Sequence, residues 1–397
     1  MEEALIYLTY IVVILLLGLI CTLITNRLRI PNVLFLILIG VFLNSVRVDG
    51  KPVIDFSPVF IVAISIIALV LIVFDSSSRL KLKQFDTFSS KALKMTIIAL
   101  VLNVSVLGSA AFLLFGIKSV PFVIILGIIL SGTGPDVVMT ILKQKSLKTV
   151  EFLKIESILN TPLTVLLPFI ILDLVGAFKG AVFPKIFEHF VPFLQQIVAG
   201  IGAGIVIGII VFKVMRKSYS ETLSPLAIIT AALLSYILAE NLGGNGVLAV
   251  TTLGLFFGNV YIKEKGTMQE FSSMFANSLE ILVFILVGLI ISIPMNPGFL
   301  GRCFLLYIVY LALRYVSLRI TFLKSNFTDK ELLYMTLVSP KGIATAAITF
   351  SLLSLNSKIT GMLNVILVTM IYTIIISTFI VKAQNFFMHP ADKEHVN

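Results

Sequence analysis

Apolar residues in this chain come in runs of roughly 18 to 23 that recur from one end to the other, separated by short polar breaks. A run of that length spans the hydrocarbon of a bilayer as one helix, which satisfies every backbone hydrogen bond internally. The pattern predicts an all-α polytopic membrane protein of about 13 transmembrane helices. They are placed near residues 4–25, 32–46, 57–75, 92–115, 120–143, 152–177, 190–215, 224–240, 246–262, 271–293, 302–323, 331–354 and 359–382. Residues 1–382 are thus expected to form one transmembrane domain, and 383–397 a short cytoplasmic tail. Only Met1, Glu2 and Glu3 precede the first run, with acids where a signal peptide carries positive charge, so that run is expected to be a retained span.

Two of the runs are interrupted. The fifth is broken at "SGTGPD", residues 131–136, and the twelfth at Ser339, Pro340, Lys341 and Gly342 in "LLYMTLVSPKGIATAAITF". Seven spans separate them, an odd number, so the two broken helices run in opposite directions. Paired breaks in oppositely oriented halves predict an inverted repeat with two crossing broken helices and a transport site near the midplane. Unwound backbone persists in hydrocarbon only where it lines a polar cavity. The carbonyls near Gly132 to Gly134 can therefore replace part of a cation's water shell, and Asp136 either caps the following half-helix or turns its carboxylate to the cavity.

Composition agrees with the run pattern. Of 397 residues 58% are hydrophobic and only 13% charged, and the mean hydropathy is +1.09; a water-soluble globule is excluded. Cys21 and Cys303 lie inside apolar runs and offer neither a metal spacing nor a disulfide framework. His189, His389 and His395 form no cluster, so haem, redox chemistry and other cofactors are not expected. The net charge of +10 is spread over short loops rather than gathered in one patch, which points to membrane orientation and not to nucleic acid. Lys and Arg concentrate after odd-numbered spans, from Arg27 and Arg29 to Lys324 and Lys330. By the positive-inside rule the N-terminus is outside and the C-terminus cytoplasmic.

A few polar residues lie deep in the runs. Glu156 and Asn160 are four apart and share a helical face, with Ser157 and Thr161 as the adjacent pair. Asp75 ends the third span, where an interfacial cap and an ion ligand are both open readings. Glu280 and Arg314 are mid-span charges that need partners inside the bundle, since an Arg or Asp at a helix centre costs about 2.5–3.5 kcal/mol on insertion scales. Lys341 is the cation at a helix break, and Glu156 is its expected partner in a structural charge pair.

In this order and spacing the chain resembles the NhaP-type sodium/proton antiporters of the monovalent cation:proton antiporter family. The resemblance rests on "RLRIPNVLFLILIGVFL", "LIVFDSSSRL", "ESILNTPL", "NGVLAVTTLGLFFGN", "RYVSL" and "SPKGIATAAITF", and covers nearly the whole chain. It implies a homodimer of about 13 spans per chain with two crossing broken helices and an ion site between them. Thr133 and Pro135 match the Thr-Asp-Pro break of the family, and Glu156 and Ser157 its Glu-Ser. Asn160 matches the Asn of its Asn-Asp pair, Lys341 the basic residue of the later break, and Arg314 an arginine of span eleven. Two departures stand out: Gly134 and Thr161 occupy the places of the two aspartates that hold the ion and exchange protons. A hydroxyl and a carbonyl can ligate Na⁺ but carry no proton near neutral pH. Proton coupling then falls to another acid, with Asp136 first and Asp75 and Glu156 behind it.

The expected function is secondary active exchange of a monovalent cation, Na⁺ first, for H⁺ by alternating access in the cell membrane. The expected ion and proton ligands are Asp136, Thr133, Gly134, Ser157, Asn160, Thr161 and Asp75. The alternative is a channel-like or sensory descendant of the same fold without proton coupling, which the loss of both acids favours. An enzyme is not expected, because no histidine base, His-Glu motif or paired-aspartate pattern lies in the spans.

Overall fold

The structure is a computed structural model of the chain. It describes residues 2–28, 32–48, 51–79, 87–134, 138, 148–178, 186–217, 220, 223–260, 265–290, 294, 296–323, 327–342, 344–346, 348–349, 352 and 360–387. Among the described residues some helix is found within each of the thirteen predicted stretches. Among the described residues, nine helices are long and apolar enough to cross a membrane, and three shorter apolar helices accompany them. The two-residue strands Arg47–Val48 and Lys51–Pro52, not foreseen in an all-α reading, pair antiparallel.

In chain order the helices are α1 (Glu2–Leu28), α2 (Asn32–Ser45), α3 (Pro58–Ser78), α4 (Thr87–Leu102), α5 (Gly108–Phe115) and α6 (Val120–Ser131). Then come α7 (Lys148–Phe178), α8 (Ile186–Lys217), α9 (Leu223–Asn241), α10 (Gly246–Asn259), α11 (Lys265–Ile290) and α12 (Pro297–Thr321). The last three are α13 (Asp329–Leu337), α14 (Thr360–Lys382) and α15 (Gln384–Phe387). Local chemistry sets several ends. Asn296 accepts the Gly298 N–H at 2.9 Å and caps α12, with Pro297 as its first residue. Thr328 and Glu331 form a reciprocal capping box at the start of α13.

The chain divides into two compact units. The first comprises Met1–Ser65, Thr87–Asn160 and Leu279–Asn397. Here α4, a five-residue π-helical segment (Asn103–Leu107) and α5 make one continuous span, against which α6 and α12 pack. α12 also packs on α13 and α14. Their apolar core includes Met95, Phe152, Leu318, Phe322 and Met335. α1 turns Leu5, Leu8, Leu16, Leu19 and Leu23 outward, as a helix facing lipid does, while charged and hydroxyl side chains are buried deeper in the unit.

Two contacts in this unit leave no room for a side chain. A Cβ at Gly40 would stand 2.2 Å from the Ile285 carbonyl and 2.7 Å from the Gly288 Cα, so α2 and α11 meet backbone to backbone. A Cβ at Gly127 on α6 would stand 2.7 Å from the Asn103 carbonyl and 2.8 Å from the Val104 Cα. The π-helical segment is thus pressed directly against α6.

The second unit comprises Ile66–Asp86 and Thr161–Ser278, with α8, α9 and α10 packed on one another. Small residues make this possible: Ala203, Ala239 and Ala249 are buried together. The tight turn between α9 and α10 places Gly243 at φ +70°, a conformation that favours glycine. Asn245 then caps α10 by accepting the Leu248 N–H at 2.9 Å.

Candidate functional site

The two predicted breaks are present and touch. α6 ends at Ser131; Gly132 is extended (φ −66°, ψ 146°), and helical bonding resumes where the Val138 N–H donates to the Gly134 carbonyl at 2.9 Å. α13 ends at Leu337, residues 338–342 leave the helix, and bonding resumes from Ala346 N–H to the Gly342 carbonyl at 3.4 Å. Between them the Gly134 N–H donates to the Pro340 carbonyl at 2.8 Å, so the two unwound segments join through their backbones.

Helix α14 holds the second break. Its Thr373 hydroxyl accepts the Lys341 N–H at 3.1 Å, and its Ser377 hydroxyl accepts the Ser339 N–H at 3.2 Å while donating to the Leu337 carbonyl at 3.0 Å. Amides that lost their helical acceptors are thereby satisfied. Thr373 and Ser377 were not foreseen. The signal for them was two hydroxyls one helical turn apart in an otherwise apolar span.

Beside the first break lies Glu156 on α7, which is 1% exposed. The helix begins at Lys148 rather than 152, so Glu156 sits more than two turns inside it and not near a solvated end. Its carboxylate accepts four donors: Arg314 Nη1 at 3.3 Å and Nη2 at 3.0 Å, Thr133 Oγ1 at 3.1 Å and Asn160 Nδ2 at 3.2 Å. Asn160 also donates to the Ser131 carbonyl at 2.9 Å, and Arg314 Nε to the Met335 carbonyl at 3.2 Å. One glutamate thus ties the first break, α7 and α12 together. The shared face expected for Glu156 and Asn160 is what makes their convergence on Thr133 possible.

The expected partner of Glu156 is corrected here. Its ion pair is with Arg314 and not with Lys341. The planar guanidinium grips both carboxylate oxygens, a geometry that a single ammonium cannot reproduce. Lys341, 0% exposed, instead donates through Nζ to the Leu130 and Gly132 carbonyls, each at 2.5 Å, and lies 4.0 Å from the centre of the Tyr310 ring. Tyr310 was not foreseen either; it shares the buried face of α12 with Tyr307 and Arg314.

Of the remaining predicted residues, Ser157, Thr161 and Asp75 have other partners. Ser157 is buried and donates to the Lys154 carbonyl at 2.9 Å. Thr161 is buried in the second unit, and its carbonyl accepts the Thr164 hydroxyl at 3.1 Å. Asp75, also of the second unit, is 16% exposed and bound by Arg79 at 3.0 and 3.2 Å and by the Ser273 hydroxyl at 2.6 Å. Glu280 is buried on α11. Pro135 and Asp136 lie outside the described residues. Among the described residues no group of three or more His, Cys, Asp and Glu side chains is placed to hold a metal ion.

A family model described as "Sodium/hydrogen exchanger, transmembrane" matches residues 11–384. The K(+)/H(+) antiporter NhaP2 of Shewanella sp. (strain MR-4) is 25% identical over 272 residues, which cover 68% of this chain and 46% of that protein. The chain therefore spans a little under half the length of such relatives. The probable Na(+)/H(+) antiporter 2 of Methanocaldococcus jannaschii is 24% identical over 348 residues, 83% of this chain and 81% of that one. Among solved structures, the sodium proton antiporter MjNhaP1 of M. jannaschii at pH 8 superposes with a TM-score of 0.78 at 18% identity, covering 96% of this chain and 97% of its own. That likeness is one of fold.

Proposed function

The chain belongs to the transmembrane sodium/hydrogen exchanger family, and from that premise we propose that it exchanges a monovalent cation, Na⁺ first, for H⁺ across the cell membrane by alternating access. The observation that carries this reading is the meeting of the two breaks through Gly134 and Pro340, beside buried charges and helix-end carbonyls. Such unwound backbone at membrane depth binds ions in transporters. The names of the relatives, K(+)/H(+) and Na(+)/H(+) antiporters, support the same class of substrate.

The cation is assigned to the first break and the helix face beside it, with Thr133, Gly134, Ser157 and Asn160 as ligands. The proton is assigned to Asp136. Two rival acids are already committed: Glu156 to four donors, and Asp75 to Arg79 and Ser273. Two chains form a homodimer, with N-termini outside and C-termini in the cytoplasm.

The test is a proton gradient in everted vesicles or proteoliposomes, read with a pH-sensitive dye. Added Na⁺, Li⁺ or K⁺ is expected to dissipate it, and Asp136→Asn to abolish that response without loss of folded protein. No response to any of these cations over pH 6–9 overturns exchange. The loss of acids at Gly134 and Thr161 favours a second reading, uncoupled cation conduction. Current at symmetric pH, proportional to voltage, is its signature.

A further inference from the structure

We propose that the Leu130 and Gly132 carbonyls and the face of Tyr310 form a binding site for a dehydrated monovalent cation, of which the Lys341 ammonium is the built-in occupant. The transported cation then binds there as well, next to the Thr133 and Gly134 ligands assigned above, by displacing the ammonium. This deepens the reading above and rests on it only for the statement that the cation is transported.

The site exists because of the breaks. In an unbroken helix the Leu130 carbonyl would accept the Gly134 N–H; here that N–H is turned to the Pro340 carbonyl, which releases Leu130. Gly132 is extended, so its carbonyl too leaves the helical ladder. Both oxygens lie at the C-terminal end of α6, where aligned peptide dipoles concentrate negative charge. Aromatic faces attract cations as well, more strongly once water is excluded. The residues that converge on Nζ are therefore two carbonyls and a ring, a neutral cage with negative potential.

Its dimensions suit a bare ion. The carbonyl oxygens stand 2.5 Å from Nζ, within the range at which protein oxygens hold hard cations, and rings of carbonyls replace the hydration shell of K⁺ in selective pores. Among the described residues Lys341 forms no ion pair; the contacts of its ammonium there are the two carbonyls and the ring. Beside the cage the backbone is held by bonds that do not involve Nζ: the Lys341 N–H donates to the Thr373 hydroxyl and the Gly134 N–H to the Pro340 carbonyl.

A tethered competitor lowers apparent affinity by the fraction of time for which it leaves the site vacant. Removing it should therefore tighten cation binding. Purified full-length wild type and Lys341→Met are titrated with NaCl and KCl, balanced with choline chloride, and the rise in melting temperature is followed. The half-saturating concentration is expected to fall at least tenfold in Lys341→Met, and Tyr310→Leu added to that variant should reverse part of the gain. An equal or weaker response in Lys341→Met overturns the site.

Should the neutral variant not fold, Lys341→Ala is purified in methylammonium chloride and in choline chloride. Folded protein in methylammonium alone supports the cage, and equal loss in both overturns it. Binding is read without a proton gradient, so the two proposals fail separately. Tight binding by Lys341→Met with no exchange by wild type removes exchange alone; exchange by wild type with no gain in Lys341→Met removes this site alone.

Discussion

Glu156 and Arg314 are each 1% exposed, and a charge at that depth is tolerable only while its partner remains. Glu156→Gln keeps most of the shape but strands the guanidinium. It is expected to destabilise the protein by about 3–5 kcal/mol, read as a lower melting temperature in detergent. Arg314→Lys should fall between wild type and Glu156→Gln, because a single ammonium keeps the charge but gives up one of the two parallel bonds. That Arg314 needed a buried partner was legible from hydropathy alone. Which cation met which acid was not: both Arg314 and Lys341 are buried, and only the fold brings residues 158 positions apart into one bidentate contact.

At the scale of elements the breaks were the most legible feature, because glycine, proline and charge in the middle of an apolar run have no place in a plain span. What holds the breaks open was less visible. Thr373→Val with Ser377→Ala leaves the Lys341 and Ser339 amides without their acceptors, at about 1–3 kcal/mol for each buried group. The expected signature is a lower melting temperature together with faster hydrogen exchange confined to residues 338–342. The π-helical segment is the other element that no pattern announced. Asn103 is buried there with neither side-chain nitrogen nor oxygen hydrogen-bonded. Gly127→Val, which drives a side chain into that backbone, is expected to cost about 1–3 kcal/mol or more as overpacking, again seen in thermal melting. A glycine in an apolar run gives no hint of the backbone it will face.

For the molecule as a whole, detergent-purified protein is expected to show the mass of two chains by light scattering, and exchange in proteoliposomes to be electroneutral if one cation replaces one proton. The sequence by itself determined that this is an α-helical membrane protein, where its apolar stretches lie, which two are broken, and that Glu280, Arg314 and Lys341 stand inside apolar runs. Those are consequences of local composition, since a bilayer imposes the same length and hydrogen-bonding demands on each segment separately. Tertiary structure alone decided that Glu156 is locked by Arg314, Thr133 and Asn160, that Gly134 gives its N–H to Pro340, and that Lys341 fills the carbonyl cage this creates. The physical reason is that a polar group in a water-free interior takes whichever partner the packing brings within 3 Å or so, and packing is a property of distant segments together.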